Sequence, residues 1–261
     1  MHPVLFKLGP LTIHTYGVLV AAAFLAAIFL ASREATRKGI DPERIMDLGL
    51  YVLAAAIVGS RLFEVAVNYQ SYVANPADIF KIWKGGLVFY GGFIGAVATG
   101  IWFLRKHGLP VWKVGDIAAP CIALGQSIGR IGCLEAGCCY GKPTDLPWAI
   151  TFTNPDTLAV MGVPVHPTQL YESVGTFLLF LALFAYRKRI AFDGQLFWLY
   201  VLAYSVLRFC LEFLRGDTVR GFLHVAGFDV STGQAVAIAA FLTAVTMLAR
   251  LKAASRRKQA A

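Results

Sequence analysis

Three arginines interrupt stretches that are otherwise apolar: Arg61 in "AAAIVGSRLFEVAV", Arg130 in "CIALGQSIGRIGCLEA" and Arg208 in "VLAYSVLRFCLEFLR". An arginine near the centre of a membrane-inserted helix costs about 2.5–3.5 kcal/mol on insertion scales, so it needs a partner or a purpose. Glu64, Glu135, Glu172 and Glu212 are carboxylates that offset such charges. Arg208 and Glu212 are four residues apart and Tyr204 lies one turn before Arg208. On a helix, Tyr204, Arg208, Glu212 and Arg215 therefore make one polar stripe. Arg61 with Glu64, and Gln126 with Arg130, repeat the arrangement. Such groups either lock a bundle as internal ion pairs or present surplus positive charge to an anionic guest. Both readings suit Arg61 and Glu64. Around Arg208 and Tyr204 the second is favoured, because a pair that merely joins helices is replaceable by apolar packing, often at no loss.

Other polar residues cluster at the edges of apolar runs. "GGLVFYGGFIGA" sets Tyr90 among Gly85, Gly86, Gly91, Gly92 and Gly95, and Gly125, Gly129 and Gly132 flank Arg130. Small residues spaced four apart, such as Gly91 and Gly95, also permit close helix packing. "HPTQLYES" brings His166, Gln169, Tyr171 and Glu172 to the start of a span, and "HTYG" does the same with His14 and Tyr16. These side chains are costly to bury without partners, so they belong at an interface or against a polar cavity.

Cys133, Cys138 and Cys139 crowd the end of the Arg130 segment. No C-x-x-C pair and no paired Cys or His zinc spacing is present, so the spacing points to a structural role and to no metal site. Cys121 and Cys210 read as small apolar core residues.

The elements that must hold these residues are membrane spans. Hydrophobic residues make up 57% of the chain and charged ones 15%, against about 25% charged in soluble domains. The mean hydropathy is +0.63. Apolar runs of spanning length predict a single all-α polytopic membrane domain over residues 1–261, a bundle of about seven helices. The predicted spans are 14–32, 46–66, 87–104, 116–136, 168–186, 194–214 and 232–250. No cleavable signal peptide is expected. The formal net charge of +9 does not point to nucleic acid, because the basic residues sit in loops between apolar runs.

One set of loops carries Arg33, Arg37, Lys38, Arg44, Arg105, Lys106, Lys113, Arg187, Lys188, Arg189, Arg250, Lys252, Arg256, Arg257 and Lys258. The alternate set carries Lys7, Lys81, Lys84, Lys142, Arg215 and Arg220. That is 15 of the 24 Lys and Arg against 6. The excess marks the cytoplasmic side, which puts the C-terminus inside, the N-terminus outside and the 137–167 segment outside.

Taken in order, "LGPLTIHTYG", "GGLVFYGGFIGA", "GRIG" with Arg130, "HPTQLYES" and "YSVLRFCLEFLRGD" resemble the bacterial prolipoprotein diacylglyceryl transferase family over essentially the full length. The resemblance implies a multi-pass enzyme of the bacterial plasma (inner) membrane with its active site towards the outer side. Such an enzyme moves a diacylglyceryl group from phosphatidylglycerol to the lipobox cysteine of a prolipoprotein signal peptide and releases glycerol phosphate. Its implied partners are phosphatidylglycerol, prolipoproteins and membrane lipids, with no cofactor, no metal and no nucleic acid.

The family's phosphatidylglycerol-binding arginine falls on Arg130, and its second essential arginine on Arg208, with Tyr204 and Glu212 beside it. The N-terminal tyrosine falls on Tyr16, near His14. Gly129 and Gly141 belong to the same lipid-binding signature. Glu135, His166, Gln169 and Glu172 are candidates for support.

Two departures stand out. Cys133, Leu134, Glu135, Ala136, Gly137 and Cys138 replace the usual Asn, Phe, variable residue, Asn, Gly and Glu after G-R-x-G. Tyr90 stands where many members carry a histidine proposed as base. Tyr90, His14, Glu135, Glu212 and His166 all remain candidates for thiol deprotonation. The rival classes are a transporter or flippase for an anionic lipid or solute, and a quinone-linked thiol oxidoreductase. The transporter reading lacks an internal repeat, and the oxidoreductase reading needs a reactive cysteine pair.

Overall fold

The computed structural model describes residues 1–9, 11–81, 85–216, 221–225 and 228–260. Pro10 and Asp217 of the motifs above, and Lys84 and Arg220 of the basic residues, lie outside the described residues. Seven long helices occur where spans are predicted: α1 (Thr15–Arg37), α2 (Pro42–Val67), α4 (Phe89–Lys106), α5 (Val111–Ala136), α6 (Thr168–Tyr186), α7 (Gln195–Glu212) and α8 (Thr232–Ala260). A six-residue helix, α3 (Tyr69–Ala74), and a 3-10 turn at Pro76–Phe80 follow α2.

Five of the long helices, α1, α2, α5, α6 and α8, are long and apolar enough to cross a membrane. Large apolar side chains face outward along the helices, among them Leu25, Phe29, Leu62, Leu178 and Leu242. A soluble fold would bury such a surface, and lipid accepts it. The chain is an integral membrane protein.

Helix ends deviate from the apolar runs for local reasons. α2 starts four residues earlier than predicted, because Asp41 accepts from the Glu43 amide at 3.0 Å and Pro42 opens the first turn. α8 continues past Arg250 through "LKAASRRKQA", residues of high helix propensity. The all-α expectation also misses three short antiparallel hairpins. They are β1–β2 (Val4–Leu8, Leu11–His14), β3–β4 (Ile150–Thr151, Pro164–Val165) and β5–β6 (Phe222–Val225, Phe228–Ser231).

The chain divides into two compact units, 31–114 and 1–30 with 115–261. In the first, α2 packs on α4 through glycines. A Cβ on Gly91 would stand 2.3 Å from the Gly59 carbonyl oxygen and from the Phe63 Cβ. No larger residue fits that crossing. Gly91, Gly92 and Gly95 thus meet α2, so the helix-packing reading of these glycines holds. Arg61, 7% exposed, does not pair with Glu64. Its guanidinium donates to the carbonyls of Asp78, Ile79, Gly85 and Gly86, at 2.9 Å for Ile79 and 2.8 Å for Gly85. Glu64 instead accepts from Asn68 at 2.9 Å. Arg61 therefore cross-braces the segment between α2 and α4, and its charge is spread over peptide dipoles.

In the second unit, Ala119 and Ala123 of α5 pack with Leu183 of α6 and with Leu196 and Tyr200 of α7. Asp116, buried in α5, accepts from the amides of Gly194 and Phe197 at 2.9 and 3.0 Å. It caps α7 from another helix, because Gly194 at the cap has no side chain to do so. Ser231 and Gln234 cap α8 reciprocally, each side chain accepting the other's amide at 3.1 Å. A second apolar cluster, Leu134, Phe152, Ala159 and Val165, seats the 137–167 segment on the end of α5.

Candidate functional site

Helices α5, α6 and α7 turn their polar residues towards one another. Arg130 of α5 forms an ion pair with Glu172 of α6 at 2.9 Å. Tyr204 of α7 donates to the same carboxylate at 2.8 Å. One turn further along α7, Arg208 pairs with Glu212 at 2.7 Å, as the four-residue spacing predicts. Glu212 is 2% exposed and Arg208 18%. Tyr204 lies within electrostatic range of both arginines. Gln126, one turn before Arg130, accepts from the Tyr200 hydroxyl at 2.7 Å, and the Tyr200 and Tyr204 rings stack 5.9 Å apart. Ser173 donates to the Ser127 carbonyl at 2.8 Å, which ties α6 to α5 beside these residues.

Two buried polar atoms have no hydrogen-bond partner among the described residues: Nη1 of Arg208 and Oε1 of Gln169. A buried guanidinium nitrogen left unmatched is a donor suited to an anion. Arg130 retains 21% exposure of its side chain while ion-paired. Beside it, an added Cβ on Gly129 would meet nothing within 4 Å, so there is room next to the cation.

Three backbone segments converge just beyond α5. Gly141 bonds to the His166 carbonyl at 3.0 Å and pairs with Arg215, while the Lys142 amide reaches the Leu214 carbonyl at 2.8 Å. A Cβ on Gly141 would lie 2.4 Å from the His166 Cβ and 2.5 Å from its carbonyl oxygen. Gly141 is the residue that lets these chains cross. His166 reaches the Tyr171 hydroxyl at 3.4 Å, and Trp148 donates to that hydroxyl at 2.7 Å. Thr168 and Gln169 donate to the carbonyls of Cys139 and Cys138, both at 2.7 Å. Tyr16 rests against Gly132 and lies within electrostatic range of Arg130 and the three thiols.

The sulfurs of Cys133, Cys138 and Cys139 all lie within 4.8 Å of one another, and all five cysteines are free. Arg130 Nη1 donates towards the Cys133 sulfur at 3.8 Å. Hydrogen bonding within the group pushes the Cys138 thiol up and the Cys139 thiol down. For Cys139 the hydrogen bonds from Cys133 and Cys138 come first, and the positive field of Arg215 and Arg130 acts in the same direction against burial.

The remaining candidates are placed elsewhere. Glu135 accepts the His2 amide at 2.6 Å, so it braces the first residues of the chain. His14 ends β2 and pairs with Val4 at the open end of the β1–β2 hairpin. Tyr90 belongs to the other unit, is 51% exposed and sets its ring edge-on to Phe89. Sequence reasoning missed Tyr200, although it lies one turn before Tyr204, and Thr168, whose role depends on a distant carbonyl.

A family model described as prolipoprotein diacylglyceryl transferase matches residues 3–250. Three curated relatives bear the name phosphatidylglycerol--prolipoprotein diacylglyceryl transferase. The one from Clostridium tetani is 39% identical over 217 residues, 83% of this chain and 86% of the relative. The one from Synechococcus elongatus is 39% identical over 233 residues, 86% of this chain and 81% of the relative. The one from Bacillus licheniformis is 34% identical over 253 residues, 95% of this chain and 92% of the relative. With a match across nearly its whole length, this chain belongs to the prolipoprotein diacylglyceryl transferase family.

Proposed function

We propose that this protein transfers the diacylglyceryl group of phosphatidylglycerol to the cysteine thiol of a prolipoprotein lipobox, with release of glycerol phosphate. The relatives named for this reaction support the reaction class. The observation that carries the site assignment is the pair of half-buried, ion-paired arginines on α5 and α7, one of them with a buried nitrogen that no described group satisfies. Such a pair suits a phosphodiester at head-group depth.

In this reaction a carbon–sulfur bond forms at a glycerol carbon and the carbon–oxygen bond to phosphate breaks. The thiol proton leaves to a base, and the phosphate departs as a monoester with added negative charge. Arg130 and Arg208 act as fixed donors to that charge in a site of low dielectric. Glu172 orients Arg130, and Glu212 orients Arg208. Tyr204, committed as donor to Glu172, holds that carboxylate rather than accepting a proton. Tyr16, His14, Gly129 and Gly141 frame the lipid side, and His166 and Gln169 support it.

All seven long helices cross the bilayer in this reading. The other two, α4 and α7, each have 18 residues. That gives about 27 Å of rise, close to the thickness of the hydrocarbon core. α4 ends in Arg105 and Lys106 at the interface, and α7 carries its charges as an ion pair. The basic asymmetry sets the C-terminus in the cytoplasm and the arginine site towards the outer face of the bacterial plasma membrane. Both substrates then reach the site laterally from the bilayer.

The test is purified protein in detergent with phosphatidylglycerol and a lipobox peptide. The expected result is a mass gain of one diacylglyceryl group on the peptide thiol. Movement of lipid without that mass gain would return the protein to the transporter class.

A further inference from the structure

C-x4-C-C spacing matches no common metal motif, yet the fold brings its three sulfurs within 4.8 Å of one another. Adjacent residues in an extended or helical chain send their side chains apart, so Cys138 and Cys139 should not converge. They do so because Cys139 has φ +60°, the one described non-glycine residue with positive φ, directly after Gly137 at φ +73° and Cys138. A left-handed cysteine is strained and persists only where its surroundings enforce it. Here Gln169 and Thr168 of α6 hold the carbonyls of Cys138 and Cys139, and the Cys138 amide bonds back to the Cys133 carbonyl at 3.1 Å. The turn is built from outside, and what it achieves is the meeting of three thiols.

We propose that Cys133, Cys138 and Cys139 form a three-thiolate site for a thiophilic d10 cation, Zn(II) or Cu(I). Sulfurs about 2.3 Å from one tetrahedral ion lie about 3.8 Å apart. Separations within 4.8 Å therefore close onto an ion by small side-chain rotations. Sulfur donors select soft cations over Mg(II) or Ca(II). Arg130 lies beside the group, its Nη1 3.8 Å from the Cys133 sulfur. Binding displaces thiol protons and requires no oxidant or reductant. Among the described residues no other His, Cys, Asp or Glu joins the group. That suits three-coordinate Cu(I), or Zn(II) with its fourth position taken by a small ligand. The ion would clip the last turn of α5 to the turn beyond it, beside Arg130. This inference does not depend on the proposed reaction.

The test uses full-length protein, purified in detergent without chelators, reduced anaerobically and exposed separately to buffered Zn(II) and Cu(I). Metal per chain is then measured. One ion per chain is expected for wild type and for Cys121→Ser/Cys210→Ser. The variant Cys133→Ser/Cys138→Ser/Cys139→Ser should hold none. X-ray absorption of the loaded wild type should show three sulfur scatterers at about 2.3 Å. Co(II) loading should give a thiolate charge-transfer band, a readout that needs no variant. Wild type that takes up neither cation after reduction, or a triple variant that keeps a full equivalent, would overturn the site. Because metal content is measured apart from lipid transfer, failure of one leaves the other standing.

Discussion

Glu172 of α6 accepts Arg130 of α5 at 2.9 Å. The two residues are 42 positions apart and meet because Ser127 and Ser173 fasten the same two helices near them. Tyr204 completes the group from α7. Three helices thus share one carboxylate, and the strength of that sharing is open to measurement.

Arg130→Ala should abolish thiol lipidation by about a thousandfold or more, roughly 4 kcal/mol of barrier, while the protein still inserts. Arg130→Lys should recover little, because a point charge loses the planar fork that grips a phosphate. The assay is mass gain on a lipobox peptide. Near-normal turnover in the alanine variant would remove Arg130 from the site.

Tyr204 is expected to act through Glu172. Tyr204→Phe removes a hydrogen bond to a charged acceptor, worth about 1.5–3 kcal/mol, and should slow transfer roughly ten- to a hundredfold. In a Glu172→Gln background the same change should cost far less. A double-mutant cycle on transfer rate reads the coupling. Equal losses in both backgrounds would mean that Tyr204 acts on substrate directly.

Gly141→Ala should destabilise the protein, by about 1–3 kcal/mol or more, because the new methyl meets the His166 backbone at 2.5 Å, where no side chain can move aside. Thermal unfolding in detergent checks this. Gly129→Ala, with open space at its Cβ, should leave the unfolding temperature close to wild type and lower phosphatidylglycerol affinity instead. A Gly141→Ala protein as stable as wild type would show that the crossing of three chains relaxes freely.

The direction of insertion is tested by reporters. A fusion after Ala261 should report the cytoplasm, and an insertion near Asp156, an exposed position in the 137–167 segment, should report the outer side. The 15-to-6 distribution of basic residues motivates both. The reverse result would move the arginine site to the cytoplasmic face.

The seven long helices were legible in the sequence because apolar runs of helical length mark a helix locally, and five of them are long and apolar enough to cross a membrane. The Arg208–Glu212 pair was legible too, since helix geometry alone makes residues four apart neighbours. The family was legible from the order of its motifs. Partners across helices were not. Arg61 had Glu64 at helical spacing, yet four carbonyls beyond the helix claimed its guanidinium. Glu135 lay close to Arg130 in sequence, yet it accepts the His2 amide, and Glu172 took its place. Nor does spacing tell that two adjacent cysteines converge. That follows from a left-handed turn held by hydrogen bonds from α6. A helical period determines which residues share a face, and only the packing of one helix on another determines what that face meets.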